Sequence, residues 1–344
     1  MNEISIGLWR NKESFYPLDH NSKKYPIERI FPSGRQCITF ALETVGLNRK
    51  SRVALPEWSS HCVISSIGKI ATPIPFNEVI NNNLKVDAIL FYEQWGWPIS
   101  KIIRSRLLEM FDKPIIFLDR VDSADIDNEN RTKFYPDLIQ IDIISLSKLL
   151  GLKGGGLAKL NGNYLTFKTD LLDTEISNFI WSSNISKDFP LKFIYLHMND
   201  LKVLHPELIN WLDKNDLVEV LNIECRDRRN NLSKFINSNL NLNWPKWMFD
   251  AFKEDASPGI VPLFRNKPLN LLMQVRNLIL KKFSVETSVY HFNWSGNPFI
   301  PEYEPVLAFP IHGMVKTIIP EIIETLGCLY NLEDNNFISK CNDK

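Results

Sequence analysis

Short apolar runs alternate with helical patterns of about ten to fifteen residues between residues 33 and 145 of this chain. This alternation restricts the fold more than any other feature, because repeated strand–helix–strand units build a mostly parallel sheet with helices on both faces. The predicted strands span residues 52–55, 72–76, 88–92, 114–118 and 138–145, and the predicted helices span 34–45, 63–70 and 100–111. Gly46 is a natural stop for the first helix, and two prolines place strand 72–76 at a sheet edge.

The pattern changes beyond residue 160. A mostly helical stretch follows, and it ends in a long, charged amphipathic helix predicted over residues 217–236. After it, strands predicted at 258–263, 285–290 and 306–310 alternate with helices at 268–283 and 318–329. We therefore predict a large α/β/α domain over residues 1–237, which ends in the long helix, and a small α+β domain over residues 238–344.

Composition excludes several classes of protein. The 40 basic and 40 acidic side chains balance, so bulk electrostatics favour neither a nucleic acid nor a membrane surface as partner. The five cysteines are odd in number and lack metal-ligand spacing, so no metal site is predicted. No apolar run approaches the ~20 residues of a membrane-spanning helix. With a polar N-terminus that lacks a signal-peptide pattern, these features predict a cytoplasmic protein.

A carboxylate and an amine follow two of the predicted strands. Asp119 ends the apolar run 114–118, at the edge where open α/β sheets bind ligands. Lys148 follows strand 138–145 and precedes an apolar pair, a setting that desolvates an ammonium and lowers its pKa. Taken alone, each has an ordinary alternative, a surface turn acid or a solvated lysine. Together they favour an acid that holds a pyridine nitrogen protonated and a lysine that forms an imine with an aldehyde. We therefore predict Asp119 and Lys148 as catalytic residues and pyridoxal 5′-phosphate (PLP) as cofactor.

Two further lysines lie near Lys148 in the sequence. Lys153 falls in the glycine-rich stretch 151–156, and Lys159 falls at the end of the strand that follows it. Both are predicted to be solvated, which leaves Lys148 as the candidate for the imine.

Small and polar residues predict a phosphate site beside this pair. Ser33 precedes Gly34 and Arg35 at the start of a helix, where free backbone amides and the helix dipole favour an anion. Ser145 and Ser147, just before the lysine, are further donors on the phosphate side. A plain helix cap and ordinary polar residues at a strand end are equally compatible with these patterns.

Flat side chains follow the strand at 52–55. Trp58 and His61 both stand there, and either ring could stack on the cofactor, although packing or a helix start explains each equally well. His291, Asn293 and His312 are polar residues of the small domain that could face the cleft between the domains.

In their order along the chain, these segments resemble the DegT/StrS family of nucleotide-sugar aminotransferases, which are PLP enzymes of fold type I. The matching segments are residues 33–38, 53–58, 71–76, 117–119, 145–156, 285–291 and 306–312. The resemblance implies a cytoplasmic homodimer that transfers an amino group, usually from glutamate, to a keto-sugar attached to a nucleotide. Its products commonly serve surface polysaccharide or amino-sugar biosynthesis. It assigns Asp119 to the pyridine nitrogen, Lys148 to the imine, and Gly34 and Arg35 to the phosphate.

The chain departs from the family's pattern near the predicted site. Asp122 stands three residues after the acid, where the family usually has histidine or glutamine, and Lys153 replaces the glutamate of the usual Glu-Gly-Gly. The family's Asn-x-Arg segment has no evident counterpart. Two alternatives therefore stay open: a different PLP reaction on a sugar, and a member without catalysis that acts as a binding or scaffold subunit.

Overall fold

The computed structural model describes residues 5–11, 25–125, 138–166, 204–240 and 242–330. Within them, seven strands form one sheet in the order β2-β1-β3-β4-β5-β6-β7. The strands are β1 (Arg52–Leu55), β2 (Thr72–Pro75), β3 (Ala88–Tyr92), β4 (Ile115–Asp119), β5 (Gln140–Ser145), β6 (Gly156–Leu160) and β7 (Asn163–Tyr164). Strands β1 to β5 are parallel, while β6 and β7 are antiparallel additions. The predicted strands are confirmed within about two residues, and β2 lies at the predicted edge.

Helices cover both faces of this sheet, which explains why its strands read as continuous apolar runs. They are α1 (Gly34–Thr44), α2 (His61–Gly68), α3 (Phe76–Asn81), α4 (Lys101–Met110) and α5 (Leu146–Leu150). Alternate residues of β3 and β4 point to opposite faces. Leu90 and Phe117 pack in the cluster under α1 and α2, whereas Phe91 and Leu118 pack in the cluster under α3. The predicted layered α/β architecture is therefore confirmed.

A second, smaller sheet follows a long helix. The elements are α6 (Pro206–Lys214), α7 (Leu217–Ile236), α8 (Lys246–Lys253), β8 (Ile260–Leu263), α9 (Leu269–Phe283), β9 (Ser288–Asn293), β10 (Tyr303–Pro310) and α10 (Ile319–Tyr330). The three strands are antiparallel in the order β8-β10-β9. Strand β9 starts later than predicted, because Val285 forms a separate bridge with Ile6 near the N-terminus.

Helix α7 spans the predicted residues and joins two hydrophobic clusters. Leu217 and Leu221 at its start pack with α5 and α6, whereas Leu232 and Phe235 near its end pack with the small sheet. This position fits a helix that leads out of a large domain, and the boundary at residue 237 stays a prediction. No helix of the described residues is both long and apolar enough to cross a membrane.

The small sheet docks on the segment that follows β3. The side-chain amide of Gln94 donates to the His291 carbonyl at 2.9 Å and accepts from the Asn293 N–H at 3.1 Å. In the β9–β10 hairpin, the Phe299 ring packs on Phe76, with centroids 4.6 Å apart. These contacts hold the small sheet beside the carboxyl edge of the large one.

Candidate active site

The topology brings Asp119 and Lys148 to one edge of the large sheet. Asp119 is the last residue of β4, and Lys148 lies in α5, directly after β5. Because β4 and β5 are parallel neighbours, their carboxyl ends lie side by side. The Asp119 side chain is buried, and the positive charge of Lys148 acts on it. The two residues predicted as a catalytic pair therefore lie together.

A third residue, Asp122, makes the direct contact with the lysine. Lys148 Nζ lies 3.2 Å from Asp122 Oδ1, and its ammonium lies 5.6 Å from the centre of the Trp9 ring. Burial lowers the pKa of Lys148, but the carboxylates of Asp122 and Asp119 outweigh that effect and raise the pKa overall. The predicted lowering of the Lys148 pKa by its apolar neighbours is therefore wrong. Lys148 is an ammonium held by a carboxylate.

Asp122 is almost completely buried and accepts two further hydrogen bonds. The Tyr92 hydroxyl donates to Oδ2 at 2.5 Å, and the Trp9 indole N–H donates to Oδ1 at 3.0 Å. Burial, followed by the negative charge of Asp122, raises the pKa of Tyr92, so this phenol stays a donor. Sequence reasoning missed Trp9 and Tyr92, because neither stands in a motif and Trp9 reaches the site only through the tertiary fold.

The burial and the raised pKa of Asp119 fit a site for a cationic ligand. Burial raises its pKa from 3.8 to about 7, an effect that Lys148 partly offsets and that Asp122 and Glu93 reinforce. Its hydrogen bond from the Val121 N–H is long, at 3.4 Å. A protonated pyridine nitrogen would supply the positive charge that this carboxylate lacks. The Asp119 carboxylate therefore fits the pyridine nitrogen of PLP.

Charged residues below the site fix the loop that carries Asp122. The buried Arg120 guanidinium lies 3.1 Å from Asp125 Oδ1 and 3.5 Å from Glu93 Oε2. Asp142, which interrupts the apolar pattern of β5, is buried on the same side and lies 4.0 Å from Arg120. The loop after β4 is therefore held by buried ion pairs as well as by backbone hydrogen bonds.

Lys153 and Lys159 differ in their exposure. Lys153 is exposed as predicted, but Lys159 is only 3% exposed, so its predicted solvation is wrong. Its ammonium lies 4.5 Å from the centre of the Tyr164 ring, because the β6–β7 hairpin folds that ring over the lysine. Burial raises the pKa of Asp142, and the nearby charge of Lys159 is among the smaller effects that oppose this rise.

The predicted phosphate residues also come together. Ser33 caps α1 by accepting the Gln36 N–H at 3.3 Å. A Cβ built on Gly34 would lie 3.7 Å from the Ser145 Cβ, and the hydroxyls of Ser145 and Ser147 are 3.0 Å apart. The amino end of an eleven-residue helix and two hydroxyls therefore share one place, an arrangement that suits a phosphate. The phosphate-binding role of Gly34, Arg35, Ser145 and Ser147 stays a prediction.

The glycine-rich stretch, residues 151–156, packs against the start of α1. Gly155 and Gly156 bridge to Ser33 and Phe31, and a Cβ on Gly156 would lie 2.8 Å from Cys37 Sγ and from the Gly34 nitrogen. We expect Gly156→Ala to lower the free energy of unfolding by about 1–3 kcal/mol, because backbone atoms would have to move. Chemical denaturation measures this change.

Gly68→Ala is the matched control for this substitution. Gly68 lies in α2, and a Cβ there would meet nothing within 4 Å, so its effect should stay within about 0.5 kcal/mol. Equal stability of the two variants would contradict the tight approach of the glycine stretch to α1.

The two candidate stacking residues, Trp58 and His61, are both exposed. His61 is the exposed first residue of α2, and the neighbouring Cys62 is close enough to Lys148 to influence its pKa. Trp58 is 74% exposed and meets Tyr303 edge-on at 5.9 Å. Stacking of either ring on the cofactor stays a prediction.

His312 differs from its predicted place in the cleft. It is buried beneath residues 5–11, where Nε2 lies 3.0 Å from the Gly7 carbonyl. Since a carbonyl only accepts, Nε2 carries the proton. Burial lowers the pKa of His312 to about 4, which keeps the ring neutral at physiological pH.

Comparisons with known proteins agree with this geometry. The model of a family described as "Putative PLP-dependent aminotransferase" matches residues 23–180. No curated protein matches the sequence. Among solved structures, a "Putative sugar aminotransferase Spr1654" from Streptococcus pneumoniae in its PMP form is similar with a TM-score of 0.55 and 11% identity, covering 88% of this chain and 85% of that chain. DesV from S. venezuelae, in complex with a ketimine intermediate, is similar with a TM-score of 0.51 and 13% identity, covering 89% and 85%.

At such low identity, these structures establish the fold. The fold is the one that these fold-type I PLP aminotransferase structures have, and the family match covers residues 23–180, a little less than half of the chain.

Proposed function

We propose that this protein transfers an amino group from an amino acid, in the first place glutamate, to a keto-sugar linked to a nucleotide. The observation that carries the proposal is the meeting of Lys148 and Asp119 at adjacent strand ends, beside the amino end of α1. The sequence segments that resemble DegT/StrS enzymes support the sugar substrate, as does the fold shared with the "Putative sugar aminotransferase Spr1654". The same resemblance supports a cytoplasmic homodimer that serves surface polysaccharide or amino-sugar biosynthesis.

Each residue has a part in this proposal that follows from its position. Asp119 would hold the pyridine nitrogen, while the amides of α1 at Gly34 and Arg35, with the hydroxyls of Ser145 and Ser147, would hold the phosphate. PLP, when bound, supplies an aldehyde for amines and a ring that accepts electron density from Cα.

Lys148 would carry the proton transfers. Its ammonium, held by Asp122 at 3.2 Å, must release a proton before the nitrogen can attack a carbonyl carbon. Once the amino group of the donor has displaced it from that carbon, the lysine is a free amine and would take the proton from Cα of the donor. The hydrogen bonds from Tyr92 and Trp9 fix the Asp122 carboxylate that Nζ contacts before the ammonium releases its proton.

Absorption spectroscopy tests the proposal. The purified protein incubated with PLP should gain the visible band of a lysine Schiff base, and borohydride should fix the cofactor to Lys148, as peptide mass spectrometry would detect. Glutamate should then bleach this band and leave the spectrum of pyridoxamine phosphate. Addition of a nucleotide-linked keto-sugar should restore the band.

In the same experiment, each of the two open alternatives gives a result that differs from the one expected for amino transfer. A scaffold subunit would leave the band unchanged by glutamate, and a different sugar reaction would show no amino-group uptake from glutamate. Absence of any Schiff base after prolonged incubation with PLP would contradict the proposal outright.

A further inference from the structure

The N-terminal segment, residues 5–11, lies outside every motif of the sequence, yet it reaches the centre of the site. We propose that Trp9 is a positioning residue, whose indole N–H fixes the Asp122 carboxylate against the Lys148 ammonium. The N-terminal segment thereby controls how readily the lysine becomes a nucleophile. The role in catalysis rests on the proposed function.

The first support is that Asp122 is anchored at both of its oxygens. Tyr92, at the end of β3, donates to Oδ2 at 2.5 Å, and Trp9 donates to Oδ1 at 3.0 Å. Lys148 contacts the oxygen that Trp9 holds, at 3.2 Å. Two donors on separate elements prevent the carboxylate from rotating about its Cβ–Cγ bond, so loss of one of them frees it to turn away from the ammonium.

The second support is that Trp9 is itself held in place. The Ile6 N–H donates to the Ser284 carbonyl, and the Glu286 N–H donates to the Ile6 carbonyl, both at 2.7 Å. Leu8 is buried in the core of the small sheet, and the Trp9 ring meets Tyr290 with centroids 6.3 Å apart. The segment is thus attached to the β9 side of the structure while its indole points to the large sheet.

A buried ion network makes a second link from the same segment to the same residue. Arg10 pairs with Glu224 on α7, and Glu224 accepts the Arg228 Nε at 2.7 Å. Arg228 Nη1 then donates to the backbone carbonyl of Asp122 at 2.8 Å. Burial raises the pKa of Glu224, but Arg228 and Arg10 more than offset it, so the carboxylate stays ionised and the link stays intact. The segment therefore fixes both the main chain and the side chain of Asp122.

The groups that face Lys148 determine how readily its ammonium loses a proton. Asp122 and Asp119 attract its ammonium, Cys62 at the start of α2 adds to this effect, and Tyr92 faces it from β3 behind Asp122. Attack on an aldehyde needs the neutral amine: the ammonium gives a proton to solvent, the nitrogen lone pair forms the C–N bond, and the carbonyl oxygen leaves as water. The closer Asp122 is held, the higher the pH at which this sequence begins.

The pKa of Lys148 can be measured in the full-length protein freed of PLP. Trace acetic anhydride labels neutral amines, so the labelled fraction of the Lys148 peptide across a pH series, measured by mass spectrometry, reports this pKa. Asp122→Asn should lower the pKa by roughly one to two units, because the main attraction is lost. Trp9→Phe keeps an aromatic ring over the ammonium but lacks the N–H, and should lower the pKa by about half as much.

The double variant tests whether Trp9 acts through Asp122. Trp9→Phe combined with Asp122→Asn should give the pKa of Asp122→Asn alone, since the N–H then has no carboxylate to hold. Trp247→Phe is the matched control: its indole N–H donates to the Trp294 carbonyl at 2.9 Å, on the small sheet, and its loss should leave Lys148 unchanged.

Several outcomes would overturn the proposal. These are an unchanged or raised pKa in Trp9→Phe, an additive double variant, or an equal shift in Trp247→Phe. Benzothienylalanine at position 9, which keeps the shape of indole without its N–H, gives the same test if the phenylalanine variant does not fold. Because no cofactor is used, a failure here is separate from a failure to form the Schiff base with PLP.

Discussion

Replacing Lys148 with alanine is expected to abolish the Schiff-base band and to reduce amino transfer by a factor of about 10⁴ or more. In the proposed function, this residue supplies both the nucleophile for the cofactor and the base for the Cα proton, and no other described lysine takes its place at this edge of the sheet. Stopped-flow spectra with glutamate and a product assay measure the two losses separately. Bound PLP, if retained, should show the spectrum of the free aldehyde.

Lys153→Ala is the matched control for this variant. Lys153 lies five residues away in the sequence and is exposed at the glycine-rich stretch, so its loss should leave the Schiff base intact. A Lys148→Ala protein that still forms a reducible Schiff base with PLP would remove Lys148 from the proposed role.

Asp119→Asn is expected to give the second-largest loss, a decrease in turnover of roughly 10²–10³-fold. An amide cannot balance the charge of a protonated pyridine nitrogen, so the ring would accept electron density less well. PLP should also bind more weakly, since the ion pair at that end of the site is lost. Titration of the variant with PLP and steady-state rates with glutamate distinguish weaker binding from slower chemistry.

The same substitution should change the stability of the cofactor-free protein in a pH-dependent way. The pKa of Asp119 is about 7 in the folded state, above its ordinary value of 3.8, so the folded protein binds the extra proton between these values. Stability of the wild type therefore falls as the pH rises from about 4 to about 7, by up to about 4 kcal/mol from this group.

Asp119→Asn removes this dependence, because an amide does not titrate. The variant should gain stability over the wild type at pH 8 and lose that advantage at pH 4, as urea unfolding at the two pH values would measure. A gain that is equal at both pH values would contradict the raised pKa of Asp119.

The fold could be predicted from sequence because its local signals agree with one another. Strands β1, β3 and β4 are buried on both faces, so their apolar runs are continuous, and α7 is long enough for its amphipathic pattern to define both ends. The predicted start of β9 was wrong for a non-local reason. Val285 pairs with Ile6, and no local pattern at either residue announces that bridge.

The sequence predicts the site residues that directly follow strands. It does not predict those that tertiary contacts bring in from distant segments. Asp119 and Lys148 stand in apolar surroundings that mark strand ends, and parallel strands bring such ends together. Asp122 was recognised as a departure from a family pattern, but its contact with Lys148 depends on the turn after β4. Trp9 depends on the docking of a distant segment. The predicted solvation of Lys159 was wrong because the short β6–β7 hairpin covers this residue. The sequence pattern of that hairpin is too weak to predict it.

The arrangement of acids and donors gives the candidate site an electrical polarity. At one end stand the carboxylates of Asp119 and Asp122, and at the other the amide groups that begin α1 face the hydroxyls of Ser145 and Ser147. A molecule with a cationic ring nitrogen and an anionic tail is attracted in one orientation and repelled in the reverse one. If PLP is the cofactor as proposed, we expect this polarity to align it during entry, before any bond to Lys148 is made.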